Sequence, residues 1–215
     1  CDLMHLIESE GCWPGSISQG LIAPVPKECE AKAKNTRPIT VTSCVYRLWA
    51  GTRVRELIDW QAGWISSHIS SYKPSEGCED AWWAQALELE RALLSGASLV
   101  GAHVDFVKAF DRLPSDLLLD LADHVGIGEH ISNALRGMHR QLRRRFKLGP
   151  FVGREVRATN GILQGCPISV MLINLFAQVW VNLILAEAPG VSPKSYADDL
   201  AMTASCVPSL TKACV

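Results

Sequence analysis

The chain lacks the usual marks of a secreted or metal-stapled protein. None of its eight cysteines are spaced as Cys-x-x-Cys, and no His pair completes a zinc pattern. No Asn-x-Ser/Thr acceptor occurs. Cys1 to Glu10 carries three acids and does not read as a secretion leader. Reduced thiols in an intracellular protein, nuclear or cytoplasmic, are the expectation. Repeats and low-complexity segments are absent. Net charge is lacking too, at −1, which excludes a uniformly basic nucleic-acid coat. At 48% hydrophobic and 20% charged, the 215 residues exclude general disorder and allow one large domain or two small ones. One long uncharged run exists, Ile168 to Ala186. Its Asn174, Gln178 and Asn182 fall on one helical stripe, so it reads as a buried core helix and not a membrane span.

What is present is unevenly distributed. Between Arg136 and Arg157 stand eight Lys or Arg and one acid, Glu155. Such an excess suits a phosphate backbone or, equally, a solvated helix face. Residues 1–40 carry many turn signals and are expected as short strands and loops. Helices are expected over Thr42–Trp60, Glu79–Leu94 and Pro114–His124, and a long one from about Glu129 to Lys147. On that last helix Arg136, Arg140, Arg143 and Lys147 would share one face. Leu99 to Val104 reads as a buried strand. A hairpin is expected around Gly149-Pro150, and a second from Lys194 to Thr203. The arrangement is α+β, with a sheet backed by helices.

Three acids stand inside or beside apolar segments: Asp105 at the end of Leu99–Val104, and Asp198-Asp199 in Tyr196-Ala197-Asp198-Asp199. Carboxylates in such places are costly unless their charge is compensated. Mg²⁺ does this with one or two carboxylates plus substrate phosphates, and two ions ~3.5–4 Å apart form a phosphoryl-transfer clamp. Adjacent acids in a turn are also ordinary surface chemistry, so both readings stand on these residues alone. Alone, the Gln164-Gly165-Cys166-Pro167 loop reads first as an ordinary entry into a helix, Phe110 as a core ring, and Lys27 and Arg37 as surface cations.

Taken in order, the pieces resemble one family. Asp105-x-x-x-Ala109-Phe110-Asp111, Gly161-x-x-Gln164-Gly165-Cys166-Pro167-x-Ser169 and Tyr196-Ala197-Asp198-Asp199 look like the central palm motifs of reverse transcriptases. The type is that of retrotransposons without long terminal repeats, related to group II intron enzymes. Ile22-Ala23-Pro24-Val25-Pro26-Lys27, Arg37-Pro38-Ile39 and Tyr46-Arg47 look like its finger motifs. The resemblance implies a right-hand polymerase with an antiparallel palm sheet. Fingers would span 1–98 and the palm 99–215, with a finger-like insertion at 126–160. The thumb would be missing from this chain, which would be a fragment of a longer polyprotein. It implies an RNA template, a DNA primer and dNTPs as partners, no membrane, and two Mg²⁺ ions (or Mn²⁺). Asp105, Asp198 and Asp199 would be the catalytic metal ligands. Phe110, Gln164, Gly165, Arg37 and Lys27 would hold the nucleotide, and Arg136, Arg140, Arg143 and Lys147 the nucleic-acid backbone. An inactive fragment or a non-catalytic nucleic-acid-binding remnant of the same fold is the alternative. A two-metal nuclease would need neither Gln164-Gly165 nor Phe110, and an RNA-templated RNA polymerase would prefer a polar residue at 110.

Overall fold

A computed structural model describes residues 2–27 and 36–214. The chain forms two compact units, each from two segments: 1–60 with 109–172, and 61–108 with 173–215. Each draws on both sides of residue 98.

The first unit begins with a helix, α1 (Asp2–Glu10), where only strands and loops were expected. The turn signals start at Gly11, and what precedes them has a helical reason. Ile7 is buried, and Glu8 on the next position is 5% exposed. Glu8 accepts hydrogen bonds from Trp49 Nε1 (2.7 Å), Arg53 Nε (2.7 Å) and Arg53 Nη2 (2.8 Å), all on α2 (Cys44–Ala62). A bidentate, nearly buried ion pair pins the two helices. Burial raises the Glu8 pKa, but the Arg53 and Trp49 hydrogen bonds and the Arg53 charge outweigh it and leave it below the ordinary 4.5. A carboxylate held low stabilises the fold above its unfolded pKa, and that contribution is lost as pH falls below about 4.5. Glu8→Gln should therefore lower stability by about 2 kcal/mol at pH 7 and by less at pH 3. Urea unfolding at the two pH values reads both numbers.

Strands β1 (Gln19–Pro26) and β2 (Thr36–Thr42) pair antiparallel. β3 (Val100–Asp105) belongs to the second unit. The short α4 (Ala109–Arg112), α5 (Ser115–His124) and α6 (Glu129–Gln141) return the chain to the first, where α1 and α5 pack on α6. Trp13, Tyr46 and Trp49 stack with ring centroids 5.3–5.7 Å apart, and the Trp13 indole donates to the Ala134 carbonyl at 2.7 Å.

The long basic helix is not formed. α6 stops at Gln141, and Leu142 after it, with φ of −62° and ψ of 119°, is extended. Arg143 N–H then donates to Ser18 O at 3.0 Å. Arg143–Leu148 is strand β4, parallel to β1 from Gln19↔Arg143 onward and antiparallel to β5 (Phe151–Val156). The sheet order is β2-β1-β4-β5. Gln-Leu-Arg-Arg-Arg suits a helix by propensity, but pairing with a distant strand outweighs a preference of a few tenths of a kcal/mol per residue. Arg143 and Lys147 thus do not share a helix face with Arg136 and Arg140. Arg136 is ion-paired to Asp120 (2.7 Å) and Asp123 (2.5 Å). The expected hairpin at Gly149-Pro150 is present as β4–β5.

The second unit holds an antiparallel sheet of order β3-β7-β6, with β6 at Val191–Tyr196 and β7 at Asp199–Ala204. β3 alternates half-buried and exposed, where a strand buried on both faces was expected. Val100, Ala102 and Val104 point to the core, and His103 and Asp105 point out. The core is supplied by α7 (Ser169–Glu187): Ile184 packs with Val191, Met202 and Ala204, while Ala177 and Val181 pack with Ile69 and Leu200. α8 (Val207–Ala213) adds Leu210 and Ala213. α7 is long and apolar enough to cross a membrane, yet its polar stripe is used inside the unit. Asn174, fully buried, donates to Gln61 Oε1 (3.0 Å) and Ser71 O (2.9 Å), and Gln178 Oε1 accepts from Ser66 N–H at 2.6 Å. α3 (Cys78–Ser95), capped by Gly96 at φ 64°, meets this sheet through Glu88, which binds Lys194 and accepts from Thr203 Oγ1 at 2.8 Å.

Candidate active site

The three acids are backbone neighbours on the second unit's sheet. β3 and β7 pair so that Asp105 stands directly opposite Asp199, and Tyr196 faces Asp199 from the other side. Only Ala197 and Asp198 join β6 to β7, so the Tyr-Ala-Asp-Asp segment is a two-residue hairpin turn, as its sequence suggested. Ala197 has φ 53°, a conformation that costs an ordinary L-residue about 1–2 kcal/mol. The surroundings hold it there. Ser195 is buried, its N–H donates to His68 O (2.9 Å), and its carbonyl accepts from Ser70 N–H (3.0 Å). β6 is therefore tied on both edges, and the turn cannot relax without breaking one of them.

The charges are coupled. The Asp199 pKa is raised by partial burial, then by the like charges of Asp198 and Asp105, with His103 opposing. Such repulsion is what a cation would relieve. The donor set, three carboxylates, fits a hard divalent ion. Among the described residues no three His, Cys, Asp or Glu side chains already form a cluster that could hold a metal ion.

A second group forms within the first unit. Gly161 lies against α4 so closely that a Cβ there would sit 2.8 Å from Phe110 O and 2.9 Å from Asp111 O, and its φ is 91°. Ile162 N–H donates to Phe110 O at 2.7 Å. The Gln164 side-chain amide donates to Asp111 Oδ1 (3.3 Å), and the Gln164 carbonyl accepts from Thr40 N–H (3.0 Å). Gly165, at φ 103°, packs on Ile39 and Thr40 of β2. Cys166 then enters the core and shares a hydrogen bond with the Tyr46 hydroxyl at 3.1 Å. Burial pushes both their pKa values up. The loop at 161–165 thus stitches α4, with half-buried Phe110, to β2, where Arg37 is exposed. Lys27 is exposed just past the end of β1. Asp111, the last residue of the first motif, here orients Gln164. Arg144, whose Nη1 donates to Thr40 Oγ1 (3.3 Å), was hidden in the supposed basic helix.

The fold is that of a nucleic-acid polymerase: an apo telomerase from Candida tropicalis superposes with a TM-score of 0.66 over 93% of this chain and 40% of its own, at 13% identity. The chain belongs to the reverse transcriptase (RNA-dependent DNA polymerase) family, whose model matches residues 25–214. Two relatives are proteins of transposable elements. One is the transposon TX1 uncharacterized 149 kDa protein of Xenopus laevis, 24% identical over 95% of this chain. The other is the Pol polyprotein of the type-2 retrotransposable element R2DM of Drosophila melanogaster, 26% identical over 94%. The chain spans 16% and 20% of their lengths.

Proposed function

We propose that the chain carries the catalytic centre of a retrotransposon RNA-directed DNA polymerase, which joins a dNTP to a primer 3′-hydroxyl opposite an RNA template. The observation that carries this is the register match of Asp105 with Asp199, with Asp198 in the adjoining turn, inside a chain of this family. Residues 1–98 would act as fingers and 99–215 as palm, with 126–160 as a finger-like insertion.

Asp105, Asp198 and Asp199 would hold two Mg²⁺ or Mn²⁺ ions. Bound there, such ions would acidify the primer hydroxyl and neutralise charge on the departing pyrophosphate. The chain's own groups position the reactants, which phosphoryl transfer chiefly requires. Phe110 would stand against the sugar C2′ and exclude a 2′-hydroxyl. Gln164, fixed by Asp111 and by Thr40, would support the incoming nucleotide and its template partner. Gly165 leaves room for that approach, and Arg37 and Lys27 would meet the triphosphate.

Phe110→Ala should admit ribonucleotides, raising the UTP-to-dTTP incorporation ratio by about 10–200-fold, the range for one steric group in a pocket. Single-nucleotide extension on a primed RNA measures it, and an unchanged ratio contradicts the assignment. The alternative is a non-catalytic nucleic-acid-binding remnant of the same fold, against which the three intact acids stand. In that case Asp198→Ala leaves all activity of the protein unchanged.

A further inference from the structure

Two adjoining cavities in the first unit are lined by arginines that the proposed chemistry does not use. One, of about 220 Å³, lies between Asp116 of α5, His139 and Arg140 of α6, Arg144 of β4, and the chain from Arg157 to Gly161. The other, of about 490 Å³, is walled by Arg140, Arg143 and Arg157 with Trp13, Gln19 and Gln141. Arg140 and Arg157 border both, so the two form one trough.

The trough carries an excess of positive charge. Asp116 is the one acid on the first lining, and the second has none. Among the described residues Arg140, Arg144 and Arg157 form no ion pair, whereas Arg143 lies 3.8 Å from Glu155. Arg144 is half-buried, and its guanidinium donates to the Thr40 hydroxyl. His139 adds no charge near neutral pH: burial, and then Arg144, push its pKa down to about 4, with Asp116 opposing. Guanidinium groups gathered in a concave site repel one another unless an anion joins them. Their planar forks match phosphate oxygens in pairs. One isolated pocket would suit a single phosphate, while two cavities with shared walls suit consecutive ones.

We propose that this trough binds neighbouring phosphates of a polynucleotide strand, with Arg140 and Arg157 bridging two of them and Arg144 reaching one. That the anion is a strand, and not a free polyphosphate, rests on the polymerase reading. Arg136 and Lys147, which line neither cavity, are left out of the contact.

Fluorescence anisotropy of a short labelled single strand, titrated with salt in chelator and without dNTP, reads the trough independently of nucleotide transfer. Arg140→Gln with Arg157→Gln should weaken binding at least tenfold. It should also flatten the slope of log affinity on log salt by about 1.4, at about 0.7 for each single-strand phosphate contact. Both side chains are exposed, so the thermal melt should be unchanged. Removing the same charge elsewhere, with Arg55→Gln and Arg91→Gln, should leave affinity and slope as they were. Pyrophosphate at fixed ionic strength should not displace the strand. The proposal is overturned by an unchanged affinity and slope, by an equal loss in the distant pair, or by no strand binding in the wild type. Displacement by pyrophosphate would overturn it in favour of a free-anion site.

Discussion

Asp105→Ala and Asp198→Ala should each reduce nucleotide incorporation about a thousandfold or more. A bound metal ion supplies several kcal/mol of charge stabilisation in such transfers, and each 1.36 kcal/mol is a factor of ten. Losing about 4 kcal/mol gives the expected thousandfold. The register explains why either residue suffices. Asp105 stands opposite Asp199, and Asp198 precedes it in a turn that β7 and the 68–70 segment hold in shape. Removing one carboxylate leaves the other two without a complete clamp. Asp105 is exposed and Asp198 half-exposed, so neither substitution should disturb the core. Thermal melts of the variants should match wild type, and Asp59→Ala, an exposed acid on α2, should keep full incorporation. The relatives are five to six times longer than this chain, so the assay belongs in a longer polypeptide that contains it. Retention of incorporation within about tenfold by either variant would remove that carboxylate from the mechanism.

Gly137→Ala should produce the largest loss of stability. A Cβ on Gly137 would lie 1.8 Å from the Gly11 carbonyl oxygen and 2.6 Å from its carbon. Both are backbone atoms, and they cannot rotate aside. Gly11 is fixed by its N–H bond to Ile7 O at the end of α1, and Trp13 beyond it is buried against Ala134. To accept a methyl group, α1 and α6 must part. Overpacking costs about 1–3 kcal/mol, and the upper end applies where backbone must move. About 3 kcal/mol corresponds to a fall in Tm of roughly 6–12 °C at this chain length. Gly51→Ala is the contrast. Nothing lies within 4 Å of its Cβ position on α2, so it should gain about 0.5–1 kcal/mol as a helix-interior glycine replaced. Equal melts for the two variants would contradict the packing described here.

The acidic hairpin was legible because its signals are local. Asp198-Asp199 stands directly before the apolar Leu200-Ala201-Met202, and that adjacency marks the turn into β7 without reference to the rest of the chain. α5 was legible for the same reason, from Pro114 and Asp116 at its start and Gly126 beyond its end. The end of α6 was not. Whether Arg143–Leu148 is helix or strand depends on β1, more than a hundred positions earlier, and no local pattern carries that information. α1 was obscured by its neighbours: the turns after Gly11 coloured the reading of the ten residues before it. Its real anchor, Glu8 with Trp49 and Arg53, lies in another helix. In the site, the motif residues could be read as a set, but their supports could not. That Asp111 would orient Gln164, or that Gly161 would press on the Phe110 carbonyl, follows only once α4 and the 161–165 loop are folded together. The arginine trough was concealed by the α6 reading, since it depends on β4 lying beside β1, which a continuous helix does not give.

Primer extension tests the central claim most directly. Primed poly(rA) is supplied with dTTP and Mg²⁺ to a longer polypeptide containing the wild-type chain, beside its Asp198→Ala and Asp199→Ala variants. Incorporation by the wild type and its loss in Asp198→Ala is the expected result. No incorporation by the wild type, or equal incorporation by wild type and Asp198→Ala, would contradict a polymerase centre on this hairpin.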